Sequence, residues 1–266
     1  NSDVKEADLD GVKRIADNLV RIGAGVVLLT GGEPFLREDL PQMVRIFLER
    51  GLNVRLQTAG MHVATPERLQ ACVDAGARDI NVSLDSLLPA RQEYINSVPG
   101  SWHTALRTIS DISRIFPNRG SICSFGCVLS RFNYAEVPLV LKLATRIGWH
   151  LSLVPVHITR QTDPMGFRSY DDRFRFRDQD YPELDGVFDE LMRMKKGGEN
   201  LFDSYNFLRS SQRFVRTNTP TWRKDGVCDS PNLYFAIRPN GDFAVCCDHR
   251  LKGAPVGYAL DPRTGH

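Results

Sequence analysis

The sequence predicts an α/β fold of parallel strands joined by crossover helices, and three observations carry that reading. Short apolar runs alternate with amphipathic stretches from Asp8 to Pro155. Each strand-plus-helix unit takes about 30 residues, the length a parallel crossover needs. Polar or glycine-bearing turns follow the strands directly. Such a repeat forms either an open doubly wound sheet or a full or partial barrel. Both bind ligands at the C-terminal ends of their strands.

The elements read in order. Asp8 to Ile22 sets Leu9, Val12, Ala16 and Leu19 on one helical face. Gly25 to Leu29 has the continuous apolar pattern of a buried strand. Asp39 to Arg50 spaces Leu40, Met43, Val44, Phe47 and Leu48 as a helix, and Asn53 to Thr58 alternates as a strand. Thr65-Pro66 reads as an N-cap with proline in the first turn, opening a helix to about Gly76. Asp79 to Ser83 is the third strand, and a helix from Trp102 to Ile115 follows it. Ser121 to Leu129 is the fourth strand. Asn133, with Glu136 three residues on, matches a capping box for a helix running to Ile147. Trp149 to Pro155 is the fifth strand.

Beyond Pro155 the period breaks. Thr159 to Asp180 is rich in Arg and Asp and reads as a self-paired, solvated stretch or as a cover over the strand ends. Helices are expected near Leu184 to Met194 and Leu201 to Phe214. Tyr234 to Arg238 and Asp242 to Val245 flank Pro239-Asn240-Gly241, a hairpin turn signal. The domain reading is residues 1–157 for the βα unit, 158–220 for a helical linker and 221–266 for a small terminal region.

The 266 residues carry a net charge of +2, which gives no bulk attraction to nucleic acid or an anionic membrane. No apolar run reaches the roughly 18 residues of a membrane span. The six cysteines are spaced irregularly for a disulfide framework, so a reducing, cytoplasmic setting is expected. The chain opens on Asn1 and reads as part of a longer protein.

The strand ends concentrate the chemistry. The first ends in Thr30-Gly31-Gly32-Glu33-Pro34, where two glycines let a ligand approach the backbone and Glu33 offers a carboxylate to a cation. The second ends Gln57-Thr58-Ala59-Gly60. The third ends Ser83-Leu84-Asp85, whose Ser83 and Asp85 can face one side and bind a diol. Singly, each of these is an ordinary turn. Together and in this order they resemble the radical S-adenosylmethionine enzymes, over residues 5–156. The resemblance implies a partial (β/α)6 barrel. It implies that Gly31, Gly32 and Glu33, stiffened by Pro34 and joined by Thr58, hold the methionine amino end of S-adenosylmethionine. It places Ser83 and Asp85 on the ribose, Val128, Pro155 and Val156 along the adenine, and Arg131 against the methionine carboxylate.

The family's C-x3-C-x2-C signature, whose thiolates hold a [4Fe-4S] cluster, is absent from this sequence. The cluster ligands, with a first strand, are expected upstream of residue 1. Cys123 and Cys127 imitate part of the motif but lie inside a strand, where buried thiols are expected; Cys72 reads as helix core.

Cys228 is followed by twelve residues, Gly241, four residues and Cys246. This is similar to the opening of the SPASM or twitch extensions behind some radical S-adenosylmethionine barrels. The resemblance implies an auxiliary iron-sulfur cluster on Cys228 and Cys246, with Cys247 as a third ligand. Zinc, or no metal, are the alternatives. His249 reads as an exposed histidine.

The activity the resemblance implies is reductive cleavage of S-adenosylmethionine to a 5′-deoxyadenosyl radical, which takes a hydrogen atom from the substrate. An external one-electron donor such as flavodoxin or ferredoxin would feed it. The substrate expected is a peptide or natural-product precursor, with a sugar, nucleoside or small polyol as the alternative. Two other classes fit the residues: a βα metalloenzyme using Glu33 and Asp85, and an iron-sulfur scaffold protein.

Overall fold

A computed structural model describes residues 5–158, 171–217 and 234–244. Its main sheet has five strands: β1 (Val26–Leu29), β2 (Asn53–Thr58), β3 (Asp79–Ser83), β4 (Ile122–Leu129) and β5 (His150–Pro155). All four pairings are parallel and the strand order is sequential. A doubly wound sheet reverses direction partway across. Sequential order with right-handed crossovers puts the connecting helices in one layer, so the partial barrel is the form adopted.

That layer is continuous. Helix α1 (Leu9–Arg21) packs on α2 (Leu40–Leu48), α2 on α3 (Pro66–Asp74), and α3 on α5 (Ser101–Ile115). Helix α6 (Val137–Arg146) packs on β4 and β5. Asp8 caps α1 by accepting from Gly11 N at 2.8 Å, and Thr65 caps α3 through Arg68 N at 3.4 Å. Helix α4 (Pro89–Asn96) was not foreseen, because it buries only Gln92 and so leaves no apolar period to detect.

Strand alternation sorts the residues into two faces. Val54, Leu56, Ile80, Val82, Phe125, Cys127, Leu151 and Leu153 are buried on one. The other face is polar. Arg55 Nη2 donates to Ser124 Oγ at 2.9 Å, Ser124 Oγ donates to Asn81 Oδ1 at 2.9 Å, and Arg55 Nε lies 3.2 Å from Asp79 Oδ1. One expectation needs correcting here. Gly25 to Leu29 reads as a buried strand, yet Val26 is 62% exposed. Among the described residues β1 pairs only with β2, which leaves its other side open in this structure.

The Asn133 capping box also fails. Asn133 makes no side-chain cap bond, and a short 3-10 turn over Tyr134–Glu136 precedes α6. Both side chains are engaged elsewhere, at the strand ends.

Helices α7 (Tyr181–Lys196) and α8 (Tyr205–Thr217) fall where expected, and their Leu184, Phe188, Leu208 and Phe214 join the common core. Residues 200–203 run along the outer edge of β5: Leu151 N donates to Asn200 O, Phe202 N to Leu151 O, and Leu153 N to the Asp203 carboxylate at 2.7 Å. The expected hairpin forms from β6 (Ala236–Ile237) and β7 (Phe243–Ala244), with Gly241 at φ 89°. It meets the start of the chain through Ala7 N to Pro239 O at 2.7 Å. Among the described residues no helix is long and apolar enough to cross a membrane.

Gly60, closing the Thr58-Ala59-Gly60 turn, has φ +69°, and a Cβ there would sit 2.9 Å from the Ala105 backbone. Gly60→Ala is therefore expected to cost about 2 kcal/mol of stability. Urea unfolding of the two proteins measures it; an unchanged midpoint would contradict this packing.

Candidate functional site at the strand ends

The β1 end presents backbone. Gly31 has φ +130°, a conformation L side chains rarely adopt, and nothing lies within 4 Å of where a Cβ would stand on Gly31 or Gly32. Both glycines are exposed. Glu33 turns the opposite way and is 6% exposed. Its carboxylate accepts from Phe35 N at 3.2 Å, Thr58 Oγ1 at 2.9 Å and Ala59 N at 3.0 Å. Glu33 and Thr58 thus tie the β1 end to the β2 end, and the carboxylate expected to meet a cation is held in these bonds. Pro34 is buried at the start of a 3-10 turn, Pro34–Leu36, whose Phe35 carbonyl is held by Arg68.

The β3 and β4 ends present side chains. Asp85 is buried, and its Oδ1 accepts from Val128 N at 2.7 Å. Burial pushes its carboxyl up to about 6, against the opposing pull of the Val128 N–H. The turn after β3 is fixed by two more buried groups. Gln92 Oε1 accepts from Asp85 N and Ser86 N at 2.9 and 2.8 Å. Glu136 Oε2 accepts from Ser86 Oγ at 2.5 Å and Leu87 N at 3.1 Å, and Arg91 pairs with the same carboxylate. This is what Glu136 does in place of capping a helix.

Asp85, Val128 and Val156 meet in an open cleft of about 760 Å³, which continues onto Tyr94, Arg173 and Phe174. The structure thus brings together residues expected from three strand ends. Ser83 and Pro155 are partly buried strand residues outside the lining. Arg131, expected on a ligand carboxylate, donates through Nε to Asp180 at 2.7 Å, while its backbone N–H bonds Phe174 O. It fastens the 171–180 segment to the β4 end. That segment pairs internally, Arg173 with Asp171 and Arg175 with Asp172, and its Asp171, Arg173 and Phe174 line one side of the cleft.

Sequence reasoning missed the aromatic wall. Tyr94 and Phe132 meet edge-on at 5.0 Å, Phe132 and Phe174 at 5.0 Å, and Arg173 lies 5.7 Å over the Tyr94 ring. Tyr94 rides on α4, the helix without an apolar period, so its only signal was its place in the turn after Ser83-Leu84-Asp85.

The cysteine chemistry divides. Cys72, Cys123 and Cys127 are free and buried, as expected. Burial pushes the Cys72 and Cys123 thiols up to about 12 and Cys127 well above its ordinary value, so all three are poor thiolates. Among the described residues no group of three or more His, Cys, Asp or Glu can hold a metal ion. Cys228, Cys246, Cys247 and His249 lie outside the described residues. The described chain therefore has no ligand set for an iron-sulfur cluster. It does fit S-adenosylmethionine: an uncovered glycine backbone lies at one strand end, and a carboxylate with an apolar wall at the next ones.

The Asp85 carboxyl gives a stability test. Its folded value, about 6, exceeds the ordinary 3.8, so the folded chain binds that proton more tightly than the unfolded one. Stability then falls as pH rises between those values, and the ionised group remains a burden above them. Asp203, also pushed to about 6 by burial, acts in the same direction. Asp85→Asn keeps an oxygen for Val128 N–H and isolates the Asp85 share. It is expected to stabilise the protein at pH 7 by up to ~3 kcal/mol, with the gain gone near pH 4. Urea unfolding at the two pH values decides it; a gain independent of pH would refute the assignment.

Comparison with known proteins places these features. A family model described as the Radical SAM superfamily matches residues 1–144. The GTP 3′,8-cyclase of Rhizobium leguminosarum bv. trifolii is 30% identical over 277 residues, covering 94% of this chain and 76% of the relative. The AdoMet-dependent heme synthase of Nitratidesulfovibrio vulgaris is 25% identical over 56% of this chain, which spans 40% of that protein. The PqqA peptide cyclase of Ruegeria pomeroyi is 28% identical over 54% of this chain and 37% of its own. Among solved structures, Streptococcus suis SuiB bound to S-adenosylmethionine matches with a TM-score of 0.63 and 14% identity, over 92% of this chain and 55% of SuiB; at that identity the likeness speaks for the fold. By sequence and by its partial barrel, the chain belongs to the radical S-adenosylmethionine superfamily.

Proposed function

We propose that this chain is the barrel of a radical S-adenosylmethionine enzyme that tailors a peptide. The observation that carries the reading is the convergence of Asp85, Val128 and Val156 on one open cleft at the strand C-termini. Its volume of about 760 Å³ leaves room for substrate beside a nucleoside along the Tyr94 and Phe174 wall. When bound and reduced by one electron, S-adenosylmethionine would supply the chemistry that abstracts a hydrogen atom from the substrate.

In this reading the chain's own residues bind and orient. The exposed backbone at Gly31 and Gly32 receives the amino end, with Glu33, Pro34 and Thr58 bracing it. Asp85, with Ser83 beside it on β3, takes the ribose hydroxyls. Val128 and Val156 lie along the adenine, with Pro155 behind them on β5. A peptide substrate is supported by the relatives named as a PqqA peptide cyclase and as SuiB bound to its precursor peptide SuiA. Cys228, Cys246 and Cys247 as auxiliary-cluster ligands belong to the same proposal, supported by the hairpin between the first two. So do a flavodoxin- or ferredoxin-type electron donor and a cytoplasmic setting.

A small nucleotide or sugar substrate is the second reading. It is favoured by the alignment to a GTP 3′,8-cyclase over 94% of the chain.

The test is anaerobic turnover of the full-length protein with S-adenosylmethionine and a one-electron reductant. 5′-Deoxyadenosine is expected, with deuterium transferred to it from a deuterated peptide substrate; transfer from a deuterated nucleotide would favour the second reading. Gly32→Val fills the space over the glycine backbone and is expected to lower 5′-deoxyadenosine formation by about tenfold or more, with the fold intact. Absence of 5′-deoxyadenosine from the wild-type protein would sink the proposal.

A further inference from the structure

We infer that Asn133 is a positioning residue of the cofactor cleft, its amide fixing the spacing between the Asp85 and Val128 walls. The inference rests on the reading of that cleft proposed above. Asn133 is 1% exposed, and its side chain makes bonds in two directions. Nδ2 donates to Asp85 O at 2.8 Å and to Val128 O at 2.9 Å, with Cys127 Sγ at 3.6 Å. Oδ1 accepts from Ser130 N at 2.8 Å and Ser130 Oγ at 3.1 Å.

The pattern demands an amide. Two donor hydrogens meet two carbonyls, one in the turn after β3 and one on β4, while the oxygen holds the Ser130 turn. The Asp85 carboxylate meanwhile holds the N–H of the same Val128. Residue 128 is therefore gripped at both its N–H and its C=O, from two sides. Asp85 alone would fix one point of contact between the walls; the second bond fixes their orientation. A helix cap would satisfy a helix N–H, and Asn133 satisfies none in α6. Its side-chain bonds go to the two strand ends and to the Ser130 turn that follows β4.

The readout is binding of S-adenosylhomocysteine, followed by calorimetric titration of the whole protein, beside thermal unfolding of each variant. Asn133→Ala is expected to weaken binding by about tenfold. In an Asp85→Ala background the same change should have little further effect on binding while still lowering stability. That non-additivity marks an action through Asp85, whereas a purely structural residue would give multiplied losses. Asn133→Asp is isosteric, keeps the acceptor for Ser130, and sets an oxygen against the two carbonyls. It is expected to weaken binding at least as much, and it serves as the test should the alanine variant fail to fold. Wild-type affinity in the folded Asn133 variants, or fully multiplicative losses, would overturn the inference. Asp85→Ala and Gly32→Val separate this from failure of the cleft reading. If both bind S-adenosylhomocysteine like wild type, the cleft reading falls and takes Asn133 with it; if they weaken binding and the Asn133 variants do not, only Asn133 falls.

Discussion

The hydrogen bond from Val128 N–H to the buried Asp85 carboxylate joins the sheet to its cleft. In-register pairing of β3 and β4 ends at Ser83 and Gly126, with Leu84 N still bonding Gly126 O. Beyond that point backbone pairing stops, and Asp85 continues the connection through its side chain. A buried carboxylate with one bond from the chain is a poor investment in stability, as its upward-shifted carboxyl records. Its surroundings reduce the loss without removing it. Gln92 takes the two N–H groups at Asp85 and Ser86, Glu136 takes the next, and Asn133 takes the Asp85 carbonyl. The N–H groups of Asp85, Ser86 and Leu87 and the Asp85 carbonyl are thus engaged, and Asp85 lines the cleft.

The parallel sheet dictates where this can happen. With the helices in one layer, one sheet face is sealed by Leu56, Ile80, Phe125 and Leu151, and the other is free to carry Arg55, Asn81 and Ser124. A barrel interior built that way is a set of hydrogen bonds between strands, where an apolar interior would be a set of close-packed layers. Polar bonds hold the strands at fixed separations and leave no apolar plug at the strand ends. Glu33 and Thr58 do the same work between β1 and β2 that Asp85 does between β3 and β4. These two of the four strand pairs are each closed at the C-terminal end by a buried carboxylate accepting a backbone N–H from the neighbouring strand end.

Much of this was legible before any coordinates. The alternation of apolar runs and amphipathic stretches located all five strands and most helices, because burial against one helix layer leaves the periods that were read. The order of Gly31-Gly32-Glu33, Thr58 and Ser83-Leu84-Asp85 located the strand ends. What escaped was whatever leaves no period. Helix α4 buries one polar residue, and with it went Tyr94 and the aromatic wall. Asn133 and Glu136 stand at capping-box spacing, but spacing cannot show that buried donors from another loop lie closer than the helix N–H groups. Arg131 stood at the right strand end, and its partner Asp180 lies too far along the chain for any local pattern to predict.

The two halves of the site differ in kind, and the difference follows from these constraints. At the β1 end the glycine backbone is uncovered, and the Glu33 carboxylate is drawn inward to hold β2. At β3 and β4, central strands with neighbours on both sides, the backbone is already committed and side chains must do the recognising. A molecule that spans both halves must carry a polar group suited to bare peptide groups at one end. At the other it must carry hydroxyls and a flat apolar surface suited to Asp85, Val128 and Val156. An amino acid joined to a nucleoside has that distribution.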